Sequence, residues 1–161
     1  MPRSLRDTVR TRYNFCCGYC GVSETNVGAK MTVDHFLPRS QGGDNSIANL
    51  VYSCHACNEF KGDYWHTEPN LRLLHPGLDN MAEHFHEQDY SIFHAFTTRG
   101  ANHIKILQLN RSELIAHRLE QQDIATVRAR CRNLENYLAE MEQAEEANST
   151  VIGRLFGDPD I

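Results

Sequence analysis

The sequence predicts an α+β fold: a small cysteine-stapled core built on a β-hairpin and a following helix, then short additional strands, then a long C-terminal helix. Three observations carry that prediction. Two C-x2-C pairs, Cys17/Cys20 and Cys54/Cys57, stand 33 residues apart. Between them, two strand-like runs flank an excursion rich in turn residues. Beyond residue 110, apolar residues recur at alternating steps of three and four, the spacing of one helical face.

Each C-x2-C sets two sulfurs on one side of a metal ion, and two pairs complete the tetrahedron that Zn²⁺ favours. The gap exceeds the roughly 15–20 residues of a common zinc ribbon and leaves room for an excursion. Structural Zn²⁺ held by Cys17, Cys20, Cys54 and Cys57 is the expectation. Disulfides, a redox pair and ordinary buried thiols compete with it. The opening residues MPRSLRDTVR are charged and polar rather than signal-like, so a reducing, cytoplasmic setting is expected and disulfides are disfavoured. Redox C-x-x-C motifs come singly rather than as two spaced pairs. Cys16 offers a C-x3-C alternative to Cys17. Cys17 is preferred because it leaves Gly18 inside the knuckle, where the backbone can approach sulfur. Cys131 falls in a helical pattern and is expected to pack.

Within the gap, Met31, Thr32 and Val33 form a strand-like run that Pro38 ends. Gly42, Gly43, Asp44 and Asn45 are a turn cluster, and Asn49 to Ser53 are a second strand-like run. They predict a β-hairpin with an extended loop, after which Cys57 to Tyr64 open a helix. This excursion carries Asp34, His35 and Asn49, and Asn58 follows the second cysteine pair. A carboxylate and an amide oxygen suit Mg²⁺, which neutralises phosphate charge while keeping several waters. An imidazole with an ordinary pKa near ~6.5 can act as a general base. Lys61 or Arg39 could position a phosphate. Taken singly, each of these is an ordinary turn or surface residue. Their joint spacing inside a four-cysteine frame favours a site. His55, between two presumed ligands, is expected to be exposed.

The run from Asp34 to Gly62 reads D-H-x-x-P-x-S-x-G-G-x5-N-L-x3-C-x2-C-N-x2-K-G. It resembles the HNH endonuclease motif in its four-cysteine variety. The resemblance covers about residues 10–118, strongly to Tyr64 and loosely after it. It implies a ββα-metal (HNH/His-Me finger) nuclease core and metal-dependent hydrolysis of DNA phosphodiesters, leaving 5′-phosphate and 3′-hydroxyl ends. It makes His35 the base and Asp34 and Asn58 the ligands of a catalytic Mg²⁺, with Mn²⁺ or Ni²⁺ as alternatives. Asn49 would bond the backbone of the hairpin loop and fix the aim of His35. The competing reading is a zinc-ribbon-like nucleic-acid-binding or adaptor module that does not cut. The set Asp34, His35 and Asn58 argues against it, since binding alone needs no general base. RNA stays open as a substrate.

The formal net charge of −5 is unusual for a nucleic-acid binder. Arg3, Arg6, Arg10 and Arg12 crowd a first helix that Ser4 and Asp7 would cap as a capping box. Acidic residues, including Glu140, Glu142, Glu145, Glu146, Asp158 and Asp160, collect near the C-terminus. Contact with DNA, expected to be duplex, then falls to a local basic face of Arg6, Arg10 and Arg12 with Arg39 and Lys61. A solvated helix face is the equal alternative for the arginines. No apolar stretch is long enough for a membrane span.

The expected organisation is a zinc-stabilised core over 1–66, an irregular short-strand extension packed on it over 67–110, a long helix over 111–148 and a flexible tail over 149–161. In the extension, His84 to His86 and Tyr90 to Thr98 suggest strands, and Arg99 to Asn102 separate the second strand from the next segment. The five histidines from His66 to His94 fit no ligand spacing and are assigned to structure. Asn110 and Glu113 can start the last helix. There Ile124, Val127, Cys131, Leu134, Leu138 and Met141 make an a/d seam of about three heptads. Packing against the chain's own domain and pairing with a second copy are the two ways to cover it.

Overall fold

The first helix, α1 (Arg3–Arg12), exists because Leu5, Val9 and Tyr13 recur at four-residue steps and face the core, with Val9 fully buried. The computed structural model describes residues 3–157; residues 1–2 and 158–161, with Asp158 and Asp160 of the acidic group, lie outside the described residues. Ser4 lies inside α1 rather than ahead of it, so the expected capping box does not form. The Ser4 carbonyl instead accepts from the Thr8 hydroxyl at 2.9 Å. Asn14 and Phe15, at φ 50° and 61°, turn the chain into the first cysteine pair. A short helix that the sequence does not announce, α2 (Glu24–Val27), comes next. Ser23 caps it, accepting from the Asn26 N–H, and Gly28 closes it in the left-handed region.

Strand β1 (Thr32–His35) pairs antiparallel with β2 (Leu50–Ser53), in a register from Thr32 opposite Ser53 to His35 opposite Leu50. All four β2 residues are buried, which makes this strand the centre of the domain. Helix α3 (His55–Lys61) starts two residues earlier than the sequence suggests, because the Cys54 sulfur caps it by accepting from the Cys57 N–H. The order strand, strand, helix is the ββα arrangement, and its α+β class is as the sequence predicts.

The extension supplies a second hairpin, β3 (Phe85–Gln88) with β4 (Ile92–Ala95), and then α4 (Thr98–Ile106). The second strand ends at Ala95, short of the expected Thr98, and α4 opens at Thr98, so Arg99 to Asn102 lie inside a helix rather than in a break after the strand. Thr97 caps that helix, accepting from the Gly100 N–H at 3.0 Å. The Arg99 guanidinium grips both Asp79 oxygens at 2.9 and 2.8 Å and the Leu73 carbonyl at 2.8 Å, tying the loop before β3 to α4. His84 bonds Thr97, and His86 stacks on Phe96, so these histidines serve the hairpin.

His103 of α4 is fully buried, with Nδ1 accepting from the Leu74 N–H at 3.1 Å. Burial pushes its pKa down to about 3, so the folded chain keeps the ring neutral. The unfolded chain, with an ordinary imidazole, takes up a proton at higher pH. Stability from this residue is therefore present above about pH 6.5 and drains away as pH falls toward about 3, at about 1.4 kcal/mol per pH unit at most. The melting temperature should drop between pH 7 and 5. The His103→Gln chain, already less stable, should lose less over the same interval; equal losses would assign the acid lability elsewhere.

The chain divides into two units, residues 1–116 and 117–161. The last helix, α5 (Ser112–Phe156), runs eight residues past the expected end at 148, so the segment from 149 to 156 is helical rather than a loose tail. Within it the Thr150 hydroxyl donates to the Glu146 carbonyl, satisfying a polar group that would otherwise compete with the helix. Cys131 is exposed and not packed as expected. No described helix is long and apolar enough to cross a membrane.

Candidate active site

The four sulfurs of Cys17, Cys20, Cys54 and Cys57 all lie within 4.8 Å of one another. Cys20 and Cys54 are 3.8 Å apart, the edge of a tetrahedron with metal–sulfur bonds of about 2.3 Å. The donor set and spacing fit structural Zn²⁺. Cys16 stands aside: its thiol donates to the Asn14 carbonyl and its backbone bridges to Ser23. Gly18 is required for a different reason from the one expected. A Cβ there would meet the Tyr13 ring at 2.6 Å and Val51 at 2.9 Å, so the close approach is to side chains and not to sulfur. Arg111, just before α5, places a guanidinium nitrogen 3.9 Å from the Cys57 sulfur, a cation beside the thiolate cage that no sequence spacing signals.

A cleft of about 400 Å³ opens beside this cage, lined by Asp34 and His35 of β1, Arg39 and Ser40 of the hairpin loop, and Asn58 and Asp63 around α3. The structure thus brings together Asp34, His35, Asn58 and Arg39. Asn49 stands behind them as a clamp. Its Oδ1 accepts from the Leu37 N–H at 2.7 Å, and its Nδ2 donates to the carbonyls of Leu37 at 3.1 Å and Asp44 at 3.0 Å. Gly43 is locked into the same clamp, since a Cβ would fall 1.8 Å from the Leu37 carbonyl oxygen. His35 is half-buried, and its Nε2 lies 2.8 Å from Asn45 Oδ1. With Asn45 accepting, Nε2 carries the proton and Nδ1 the lone pair. In the sequence Asn45 is visible only as a turn former. Asp63, directly after the motif, carries no sequence signal of its own, although it adds an exposed carboxylate to the cleft.

Asp34 is buried, and Tyr19 and Lys61 hold it. The Tyr19 hydroxyl donates to Oδ2 at 2.6 Å, and the Lys61 ammonium lies 3.1 Å from the same oxygen. Burial pushes the Asp34 carboxyl above its usual range, while Lys61 and the Tyr19 hydroxyl pull against it. The proximity of the ammonium favours the ionised carboxylate against that burial. This corrects the assignment of Lys61 as a phosphate contact. Only 2 % of Lys61 is exposed, and its Nζ is spent on Asp34 and on the His35 carbonyl at 2.8 Å. The physical reason is helical phase: residue 61 falls on the side of α3 that packs on β1.

The arginines of α1 divide. Arg10 forms a two-pronged pair with Glu24, at 2.6 and 2.5 Å, and Glu24 also accepts from the Tyr52 hydroxyl. The guanidinium holds the Glu24 carboxyl down at about 2. Arg10 is therefore a staple between α1 and α2 rather than a free phosphate contact. Arg6 and Arg12 are exposed, while each donates to a backbone carbonyl, Met31 at 2.6 Å and Ile47 at 2.7 Å. Arg39 is exposed at the cleft. His55 is exposed as expected.

Residues 17–64 match the model of the HNH endonuclease family. Among curated proteins the chain is similar to "CRISPR-associated endonuclease Cas9" of Corynebacterium diphtheriae, 45 % identical over 53 residues. That alignment covers 32 % of this chain and 5 % of the relative, so the chain spans a small fraction of the relative's length. No solved structure gives a significant match. The stretch from the first cysteine pair to the end of α3 and just beyond, residues 17–64, is accordingly an HNH endonuclease domain.

Proposed function

We propose that the chain is a metal-dependent endonuclease that hydrolyses phosphodiester bonds of duplex DNA, leaving 5′-phosphate and 3′-hydroxyl ends. The observation that carries this reading is the convergence of His35, Asp34 and Asn58 on one cleft inside the family-matched segment. Asp34 and Asn58 would hold a divalent cation, Mg²⁺ first, which when bound neutralises charge on the phosphate. His35 receives the proton of the attacking water at Nδ1, with Asn45 holding the opposite nitrogen. Asn49 keeps the loop after β1 from shifting and so preserves the aim of His35. Lys61 balances Asp34, so the cleft does not meet an anionic substrate with a bare buried carboxylate. Arg39, with Arg6 and Arg12 as outlying cations, supplies positioning contacts to phosphate.

The test is supercoiled plasmid incubated with zinc-loaded protein and Mg²⁺, Mn²⁺ or Ni²⁺. Conversion to nicked or linear DNA that requires the added ion is the expected result. DNA binding without cleavage under every ion, with zinc retained, would leave a non-cleaving zinc module as the reading.

A further inference from the structure

The second unit presents an apolar seam to solvent. Val127, Leu134, Leu138 and Met141 are 56, 63, 58 and 44 % exposed, and Cys131 on the same stripe is exposed as well. With Ile124 they occupy alternating a and d positions over three heptads of one uninterrupted helix. An exposed apolar seam of this kind marks a surface that another element covers.

The charges beside the seam identify the occupant and its direction. When Ile124, Cys131 and Leu138 are a positions, the g positions are Asp123, Arg130 and Tyr137, and the e positions are Arg128, Glu135 and Glu142. In a parallel, in-register pair each g residue faces the e residue five positions on in the partner. That sets Asp123 against Arg128 and Arg130 against Glu135, on both sides of the seam, with no like-charge pair. An antiparallel pair centred on the same heptads faces e with e and g with g. It keeps only the Arg128–Glu135 contacts and leaves Asp123 and Arg130 without opposite charges. We infer that α5 joins two copies of this chain as a parallel, in-register coiled coil through residues 123–142, with Cys131 meeting its own counterpart at a central a layer. This inference stands on the helix alone and does not depend on the nuclease reading.

The register makes Cys131 a reporter, because facing a positions lie within the separation a disulfide can span. The experiment uses the full zinc-loaded chain carrying Cys16→Ser, which removes the free thiol outside the cage and α5. Light scattering should give twice the chain mass at tens-of-micromolar concentration. Diamide, accepting two electrons and two protons from the paired thiols, should link the copies covalently, and adding Cys131→Ser should abolish the link. Leu134→Glu should raise the dissociation constant by roughly a hundredfold or more with zinc content unchanged. Arg130→Glu should raise it by roughly tenfold, and adding Glu135→Arg should restore it. A chain that is monomeric at these concentrations would overturn the proposal. So would a dimer indifferent to Leu134→Glu, or one whose Cys131 residues fail to cross-link.

Discussion

Replacing His35 with alanine should reduce plasmid cleavage by about 10²–10⁴-fold, the range for loss of a positioned general base, and leave the melting temperature within about a degree of wild type. The contrast arises from where the residue sits. His35 is half-buried at the cleft, and its ring bonds the exposed Asn45, so little of the fold rests on it. Its backbone pairs with Leu50 of β2, and that pairing survives the change. Metal-dependent cleavage that persists near the wild-type level would remove His35 as the base. Asp34 should behave differently. Asp34→Ala strands the Lys61 ammonium in the core, and breaking a buried pair from one side costs about 3–5 kcal/mol. It should therefore lower thermal stability markedly as well as activity, whereas Asp34→Ala/Lys61→Met should recover much of the stability and none of the cleavage. An Asp34→Ala chain as stable as wild type would mean that the pair is not held in the ionised state.

The cysteine cage and the cleft are legible in the sequence because their spacing is local and chemically constrained. A C-x2-C has few other uses when it occurs twice, and Asp34 and His35 reach Asn58 through one hairpin and one turn of helix. The partners of those residues are not legible. Lys61 looks like a surface cation until α3 places it under β1. Tyr19 looks like filler between two ligands, yet its hydroxyl bonds Asp34 across the domain. Arg10 looks like part of a basic face because Glu24, its partner, is 14 residues away and sits on a helix too short for its pattern to announce. Each miss concerns a polar or charged group whose use depends on tertiary neighbours. The helix that opens at Thr98 is obscured in the same way: Thr97 caps it, but the aromatic stretch before it reads as strand. The seam of α5 is legible as a period, and its exposure comes only from the structure.

Cys57→Ser should release zinc and unfold the first unit, so that cleavage and the cooperative melting transition disappear together. Cys57 is fully buried, so a hydroxyl there would meet neither water nor a metal it binds well. Metal-binding energy is folding energy in sites of this size, and this one joins the turn after α1 to the start of α3 across the central strand β2. The consequence reaches the chemistry by a short route. Tyr19 lies between the ligands Cys17 and Cys20 and donates to Asp34, so the cage that holds the fold also sets the carboxylate. Tyr19→Phe separates the two roles. It should keep one zinc per chain and most of the stability, while raising the Mg²⁺ concentration needed for half-maximal cleavage. Elemental analysis of the wild type and both variants, with melting curves and Mg²⁺ titrations, tests both roles. A well-folded wild-type chain without zinc would defeat the cage. A Tyr19→Phe chain with an unchanged Mg²⁺ requirement would show that the hydroxyl only fills space beside Asp34.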